Sequence, residues 1–461
     1  MRSTPEIDAR TGLEKLATYP YQVATWIDET GYPLSVAVEA RIDPVAGTAR
    51  FEAPAGLAIP TAHDISLTGS HIRPQPGYGY DERRHVTVWG PALVEDGIVA
   101  VRGTNAWGWD EAEVPFFEYS ERSVGKSRRY FDALSAERGT PVKPRLSLGF
   151  LTLRSTRLPF LTATLVPVVL GIAIAARHGS FDLVAALLTI VGACLVHLGL
   201  NVSNDVFDTI QGADDANVTP TQFSGGSRVI QYGLVSLRQM AALSTVFYVL
   251  AALVGLGLLA MRGSTALLLI GVVGIVVSLG YTAPPLKFVY RGLGEIAVAL
   301  GFGPFMLVGA YVVQTRGALT WEPLAASIPV ALLVALILYV NEIPDRRGDA
   351  HAGKRTLPVR FSRRAVIAGY NVAAAGAYVA LVAGVVLGAL PVPALLMLLT
   401  IPLALQVSRG LEPNYDNPYG LMAVMGVNVK LHLVAGLALL AGYAVVLIVG
   451  AVAPNVRLFL G

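Results

Sequence analysis

Between Leu183 and Leu200 the chain reads LVAALLTIVGACLVHLGL, eighteen residues without an Asp, Glu, Lys or Arg. Coiled as a helix at about 1.5 Å per residue, such a run reaches about 27 Å, close to the thickness of a bilayer's hydrocarbon core. Lipid offers the backbone no hydrogen-bond partners, so a run of this kind is confined to an α-helix that satisfies its own N–H and C=O groups. The pattern recurs. From Leu158 onward nine stretches qualify, at about 158–176, 183–203, 239–260, 264–281, 293–313, 324–341, 365–390, 392–408 and 430–452. The seventh and eighth are parted only by PVP, and the eighth holds Pro393 and Pro402. Of the 461 residues 54% are hydrophobic and only 15% charged, against about 25% charged in an ordinary soluble domain. A polytopic all-α membrane protein with nine spans is the expected architecture for this part.

Residues 1 to about 150 differ: charges are frequent and no apolar run is long enough to span. YQVATWI, LSVAVEARI, TARFEA, HVTVWGPALV and GIVAVRG alternate apolar and polar residues between Gly, Pro and Asp turns, which reads as a small antiparallel β-barrel-like soluble domain. A charged helical stretch, FFEYSERSVGKSRRYFDALSAERG, follows. The expected division is therefore 1–145 and 150–461. The start, MRSTPEIDARTGLEK, has no apolar signal core, and this part is expected on the cytoplasmic side. A lone Cys194 permits no intramolecular disulfide.

Basic residues set the orientation. Loops after even-numbered spans carry thirteen Lys and Arg, among them Arg228, Lys287, Arg346, Arg347, Lys354, Arg355 and Arg360. Odd-numbered loops and the tail carry four: Arg177, Arg262, Arg316 and Arg457. The even loops then face the cytoplasm of a cell (plasma) membrane, as do Lys143, Arg145, Arg154 and Arg157 before the first span, and an odd number of spans puts Gly461 outside.

Two spans end in acids on that cytoplasmic side. NVSNDVFDTIQGADD spaces Asn201, Asp205 and Asp208 at i, i+4 and i+7, one face of a continuing helix. YVNEIPDRRGDAHAGKRTLPVR spaces Asn341, Asp345 and Asp349 at i, i+4 and i+8. Carboxylates crowded at a membrane surface repel one another and resist burial unless a divalent cation neutralises them. All-oxygen ligands without a His or Cys cluster suit Mg²⁺, which takes its remaining ligands from water and substrate phosphates. SGGSR around Arg228, GYTAPPLKF with Lys287, and GKR with Lys354 and Arg355 supply flexible backbone and cations. Metal and convergent cations together are what a diphosphate requires. A cation-coupled transporter is the rival class, but carriers keep such acids near the bilayer midplane rather than at helix ends.

These motifs resemble the UbiA superfamily of intramembrane prenyltransferases. NDVFDTIQGAD is similar to its first Asp-rich motif, NEIPDRRGD to its second, and YTAPPLK to the Tyr and Lys segment between them. The form N-x-x-N-D-x-x-D-x-x-x-G-x-D, AGKRTLPVR and NVKLHLVAGL resemble the 1,4-dihydroxy-2-naphthoate polyprenyltransferase branch of menaquinone synthesis. Where many members carry Arg before the first Asp of the second motif, this chain has Pro344, with Glu342 nearby. The resemblance implies nine helices around a central cavity open to lipid, and Mg²⁺-dependent transfer of an isoprenoid chain to an aromatic ring. It implies one Mg²⁺ at Asn201, Asp205 and Asp208 and another at Asp345 and Asp349. Lys287, Arg228 and Lys354 would steady the diphosphate, with Tyr281 beside the breaking allylic C–O bond. Asn204, Asn341 and Arg355 complete the candidate set. The implied partners are a polyprenyl diphosphate, an aromatic acceptor and the lipid bilayer, with no nucleic acid; hydroxybenzoate, homogentisate or a glyceryl phosphate lipid are alternative acceptors.

The first part, with AWGWDEAEVPFFEYSERS, resembles the split-barrel flavin-binding fold of the pyridoxamine phosphate oxidase family. That likeness implies FMN as a candidate cofactor and a bifunctional reductase as an alternative. Elsewhere His197 reads as a hydrogen-bonded core histidine, Trp321 and Tyr311 as interfacial anchors, and Gly271, Gly274, Gly301, Gly303 and Gly309 as close helix packing. Asn428, Lys430 and His432 form a polar trio at the start of the last span, a candidate addition to the site.

Overall fold

The computed structural model describes residues 7–61, 63–74, 80–144, 146–453, 455–456 and 458–460; Arg145, Arg457 and Gly461 lie outside them. The chain forms two compact units, Met1–Ser127 and Arg128–Gly461.

The first unit opens with helix α1 (Ala9–Leu16), whose N-cap Asp8 accepts the Thr11 N–H at 2.9 Å. Strands follow as β1 (Gln22–Ile27), β2 (Pro33–Val38), β3 (Arg41–Asp43), β4 (Thr48–Glu52), β5 (Asp64–Pro74), β6 (Tyr80–Glu95), β7 (Ile98–Arg102) and β8 (Asn105–Asp110). Every strand pairing is antiparallel, in the order β2-β1-β5-β6-β7-β4-β3, with β8 on β6. Alternation decides the inner face: Ala24 and Trp26, Ile65 and Leu67, and Val86 and Val88 point inward and pack on Leu13 and Leu16 of α1. The two terminal strands of that order, β2 and β3, are consecutive in the chain and joined only by Glu39 and Ala40. Two residues span at most about 11 Å between flanking Cα atoms, so the sheet curls until its edges approach. The alternating pattern thus yields an antiparallel, barrel-like sheet.

Helix α2 (Phe116–Arg138) contains the end of this unit. The helix runs unbroken through Ser127, the last residue of the first unit.

The second unit continues with α3 (Leu148–Thr156), α4 (Thr162–Arg177), α5 (Leu183–Ile210), α6 (Leu237–Arg262), α7 (Thr265–Gly280), α8 (Gly294–Thr315), α9 (Trp321–His351), α10 (Arg363–Val386), α11 (Val392–Asn414) and α12 (Pro418–Val452). Nine spans were expected. Among the described residues seven helices, α5, α6 and α8 to α12, are long and apolar enough to cross a membrane. The other two apolar helices, α4 and α7, have 16 residues each, about 24 Å. A 3₁₀ turn over Leu158–Leu161 takes up the start of the first expected span, and α7 stops before the TAPP turn. The protein is a multi-pass membrane protein.

Helix α9 lies deepest in the bundle, with Leu333, Val334, Leu336 and Val340 each no more than 3% exposed. It runs ten residues past the expected end at 341, so NEIPDRRGD is helical throughout despite Pro344. Helix α12 begins twelve residues before the expected 430, which places Asn428 within it. There Asn428 donates to the Leu336 carbonyl at 2.8 Å and accepts from the Tyr370 hydroxyl at 3.2 Å, tying α12 to α9 and α10. Lys430 is exposed and His432 buried. Tyr311 is 1% exposed and so belongs to the core rather than to an interfacial belt, whereas Trp321 is exposed.

Small residues let the helices meet. A Cβ on Gly171 of α4 would overlap the Leu307 carbonyl oxygen of α8, and one on Gly436 of α12 would overlap Val166. Gly171→Leu is therefore expected to lose about 1–3 kcal/mol, a drop of several degrees in Tm. Gly257→Leu, on exposed α6 surface with nothing within 4 Å, should leave Tm unchanged; thermal denaturation in detergent compares the two.

Candidate active site

Helices α5 and α9 bring the two acid motifs to one polar cavity of about 160 Å³. Asn201, Asn204 and Asp208 line it from α5, and Asn341, Glu342, Asp345 and Asp349 from α9. Helical spacing does this locally, since residues three and four apart share a face.

Lys354 stands between the arrays. Its ammonium donates to Asp208 Oδ2 at 3.2 Å and lies 3.7 Å from Asp349 Oδ1. Burial opposes charge on Lys354, but Asp208 and Asp349 overcome it and hold its pKa well above the ordinary lysine value. Asp208 also accepts from Asn204 at 3.1 Å and from the Tyr290 hydroxyl at 2.8 Å. Thr282 in turn donates to Asn204 Oδ1 at 2.6 Å.

The SGGSR loop closes over both motifs through its backbone. Gly225 N–H donates to Asp345 Oδ2 at 2.8 Å, and Ser227 N–H to Asp205 Oδ2 at 3.2 Å. Gly225 and Gly226 both have positive φ, +77° and +76°, and a side chain on Gly226 would strike the Asp214 carboxylate, so the loop needs glycine at both positions. Asn217 donates to Asp345 Oδ1 at 2.8 Å. Asp205 itself turns away from the cavity wall, buried against Arg157 at 2.8 Å.

Of the cations singled out in the sequence, Lys354 lines the cavity, and Arg228, Lys287 and Arg355 stand outside its wall. The Arg228 guanidinium donates to the Asp214 carbonyl. Lys287 sits 5.5 Å over the Tyr290 ring, and Arg355 is exposed while its backbone N–H donates to the Tyr290 carbonyl. Arg157, Arg228 and Lys287 all hold left-handed backbone, with φ of 52°, 64° and 46°, an uncommon conformation outside glycine that concentrates at functional sites. Sequence reasoning missed Arg157, Asp214, Asn217 and Tyr290 as parts of this network. Asp214 carried a signal, since it closes the same Asp-rich motif; Tyr290 carried none, because its reach to Asp208 depends on the tertiary turn.

A second cavity, about 380 Å³ and almost wholly apolar, lies among α5, α6, α7 and α8. Gly271, Gly274, Gly301 and Gly309 line it, and a Cβ on Gly271, Gly274 or Gly301 would meet nothing within 4 Å, so these three open space rather than pack helices. Gly303 does pack, against Ala331. The two cavities share His197, Leu200, Tyr281, Val298 and Phe302. At that junction α8 is loosened into a π-turn over Gly301–Phe305, an irregularity frequent at functional sites. His197 is hydrogen-bonded as expected, to the Thr164 hydroxyl at 2.7 Å, and meets Phe302 edge-on.

Among the described residues no three His, Cys, Asp or Glu side chains close on one metal-sized point. The donor set nonetheless fits a hard ion of the Mg²⁺ type, which needs only one or two carboxylates and takes the rest from water and phosphate. Lys354 already holds positive charge between Asp208 and Asp349, and one Asp214 oxygen is left without a hydrogen bond.

Residues 164–418 match the model of the UbiA prenyltransferase family. The chain is 27% identical over 296 residues to a 2-carboxy-1,4-naphthoquinone phytyltransferase of Synechocystis sp., covering 64% of this chain and 92% of the relative. It is 26% identical to a 1,4-dihydroxy-2-naphthoate octaprenyltransferase of Bacillus subtilis, covering 62% and 90%. A UbiA homolog from Archaeoglobus fulgidus bound to GPP and Mg²⁺ superposes with a TM-score of 0.46 at 15% identity, covering 63% of this chain and 99% of that one. The family match begins after the sheet unit and lends no support to a split barrel or to FMN.

Burial, then the Asp208 and Asp205 carboxylates, push the Asp214 pKa well above its usual value. A carboxyl whose pKa is raised by folding opposes the fold once ionised. That penalty is absent below about pH 4 and grows as pH climbs through the raised value. With divalent cations chelated, Asp214→Asn should therefore raise Tm by a few degrees at about pH 8 and leave it unchanged near pH 4. Thermal melts across that range check the sign.

Proposed function

The chain belongs to the UbiA prenyltransferase family, and on that premise we propose that it transfers a polyprenyl group from a polyprenyl diphosphate to 1,4-dihydroxy-2-naphthoate, aided by Mg²⁺. One observation carries the reading: an acid- and lysine-lined polar cavity adjoins, across Tyr281, His197 and Phe302, an apolar cavity inside a membrane bundle. A polyprenyl diphosphate has that same division, an anion at one end and a hydrocarbon at the other. The relatives' naphthoate names support the acceptor.

Asp208, Asp345 and Asp349, with Asn201 beside them on the cavity wall, are the groups that would hold Mg²⁺, and Asp205, paired with Arg157, stands behind them. When bound, the ion neutralises charge that develops on the leaving diphosphate. Lys354 binds the same phosphate oxygens and, as a fixed cation in a dry site, stabilises the charge that gathers as the C–O bond breaks. Arg157, on the cavity wall, adds a second cation. Tyr281, at the junction, lies where the allylic carbon would be. The apolar cavity orients the chain and keeps water from the allylic cation until the electron-rich ring reaches it. The basic excess of the even-numbered loops supports a plasma-membrane enzyme with this site on the cytoplasmic side.

Asp208→Asn and Asp349→Asn should each lower kcat/KM about 10²- to 10³-fold, about 2.7–4 kcal/mol of transition-state stabilisation, with folding intact. Near-normal turnover of both at saturating Mg²⁺ in reconstituted vesicles would sink the metal–diphosphate reading. Because the prenyl group takes the place of the carboxylate, carboxyl-labelled dihydroxynaphthoate should release one labelled carbon dioxide per product. A product that keeps its carboxylate would assign a different acceptor.

A further inference from the structure

We propose that Glu342 is the acid–base residue of the acceptor half of the site, taking the proton from a ring hydroxyl of the aromatic acceptor as the new carbon–carbon bond forms. This rests on the prenyl-transfer reading above. Glu342 lines the polar cavity and is 5% exposed; its carboxyl meets the Glu295 carboxyl of α8, and no N–H or hydroxyl donor of the protein reaches either of its oxygens. The other α9 acids on that wall are engaged, Asp345 by Asn217 and Gly225 and Asp349 by Lys354. Two buried carboxyls share at most one proton between them, so ionising the pair is unfavourable by several kcal/mol unless a bound molecule supplies a further donor. A diphosphate, an anion rich in acceptors, offers no such donor. A phenolic hydroxyl does.

Position along α9 points the same way. Glu342 precedes Asp345 by about 4.5 Å of helix rise and Asp349 by about 10 Å, towards Leu338, Ile337 and Val334, which take over the cavity wall. It therefore lies between the end that suits an anion and the end that suits hydrocarbon, where the allylic carbon and the ring must meet. The groups facing it are Glu295 from α8, Tyr281 after α7, Tyr339 and Asp349 from its own helix, and Lys354 from the loop beyond. Glu295, less deeply buried, gives the proton a route onward.

The electrons balance without a further reagent. The C–O pair leaves with diphosphate, and a ring π pair forms the bond to the allylic carbon. The hydroxyl proton passes to Glu342 and its O–H pair becomes a ring carbonyl. Loss of carbon dioxide returns the C–C pair to the ring, and the carbonyl oxygen recovers the proton from Glu342. With an acceptor that keeps its carboxylate, a ring proton leaves instead.

The test compares two reactions of the full-length protein in vesicles: transfer to dihydroxynaphthoate, and acceptor-free solvolysis of the polyprenyl diphosphate. Glu342→Gln should lower kcat for transfer about 10²- to 10⁴-fold and abolish the acid limb of its pH profile. Solvolysis, the KM for diphosphate and the Mg²⁺ requirement should stay within about threefold. Glu342→Asp should recover part of the transfer rate and retain the acid limb. Transfer by Glu342→Gln within about threefold of the parent would overturn the proposal, as would equal loss of solvolysis, which would place Glu342 with the metal and diphosphate. If the Gln variant does not fold, the Asp variant decides alone: slowed transfer with unchanged solvolysis sustains the role, and any other result ends it. A parent protein that neither transfers nor solvolyses would overturn the prenyl-transfer reading itself, and the proposal with it.

Discussion

The contact between Lys354 and the carboxylates of Asp208 and Asp349 organises the rest of the second unit. Acids from two helices face one another at a membrane-embedded end, where neither water nor lipid can solvate them fully. Left alone they would force α5 and α9 apart. A buried ammonium between them, Tyr290 on Asp208 and the backbone N–H groups of the SGGSR loop supply the opposing charge and donors. Two consecutive glycines with positive φ are the local condition for that loop, since any side chain at Gly226 would displace Asp214.

The same contact sets the division of labour among the helices. Helix α9 is the most deeply buried of the long apolar helices and carries acids along one face for several turns, despite Pro344. Helices α6 and α7 are largely exposed, and α7 buries only Ser278 and Gly280 among its sixteen residues. The apolar cavity lies on their inner side, and the glycines that line it keep it open. A polar end held by ion pairs and an apolar end kept open by glycine suit a substrate with an anion at one end and a hydrocarbon at the other.

Much of this was legible in the order of residues. Apolar runs announce helices because lipid permits little else, and alternation in HVTVWGPALV announces a half-buried strand because successive side chains face opposite ways. Asn201, Asp205 and Asp208 share a helical face by spacing, although Asp205 faces Arg157 rather than the cavity. The lengths were less legible: α4 and α7 are shorter than the apolar runs that announce them, because a 3₁₀ turn takes Leu158–Leu161 and Ser264 and Tyr281 serve as the caps of α7. Glycine was ambiguous for a related reason. Whether Gly271 or Gly303 meets a neighbour depends on how far away the next helix lies, which no local pattern records.

By itself the amino-acid order determined that this chain crosses a membrane many times, that its first part is a β-rich unit, and that two acidic motifs belong to one kind of chemistry. These follow from backbone hydrogen bonding, side-chain periodicity and charge, all of which act over a few residues. Only the tertiary structure decided which cation joins the arrays, Lys354 rather than Arg228, Lys287 or Arg355, and which acids turn inward. It also brought Tyr281, His197 and Phe302, far apart in the chain, to the junction of two cavities. Long side chains of equal charge are interchangeable in sequence. Their reach is settled by backbone angles and by the packing of helices that sequence distance does not encode.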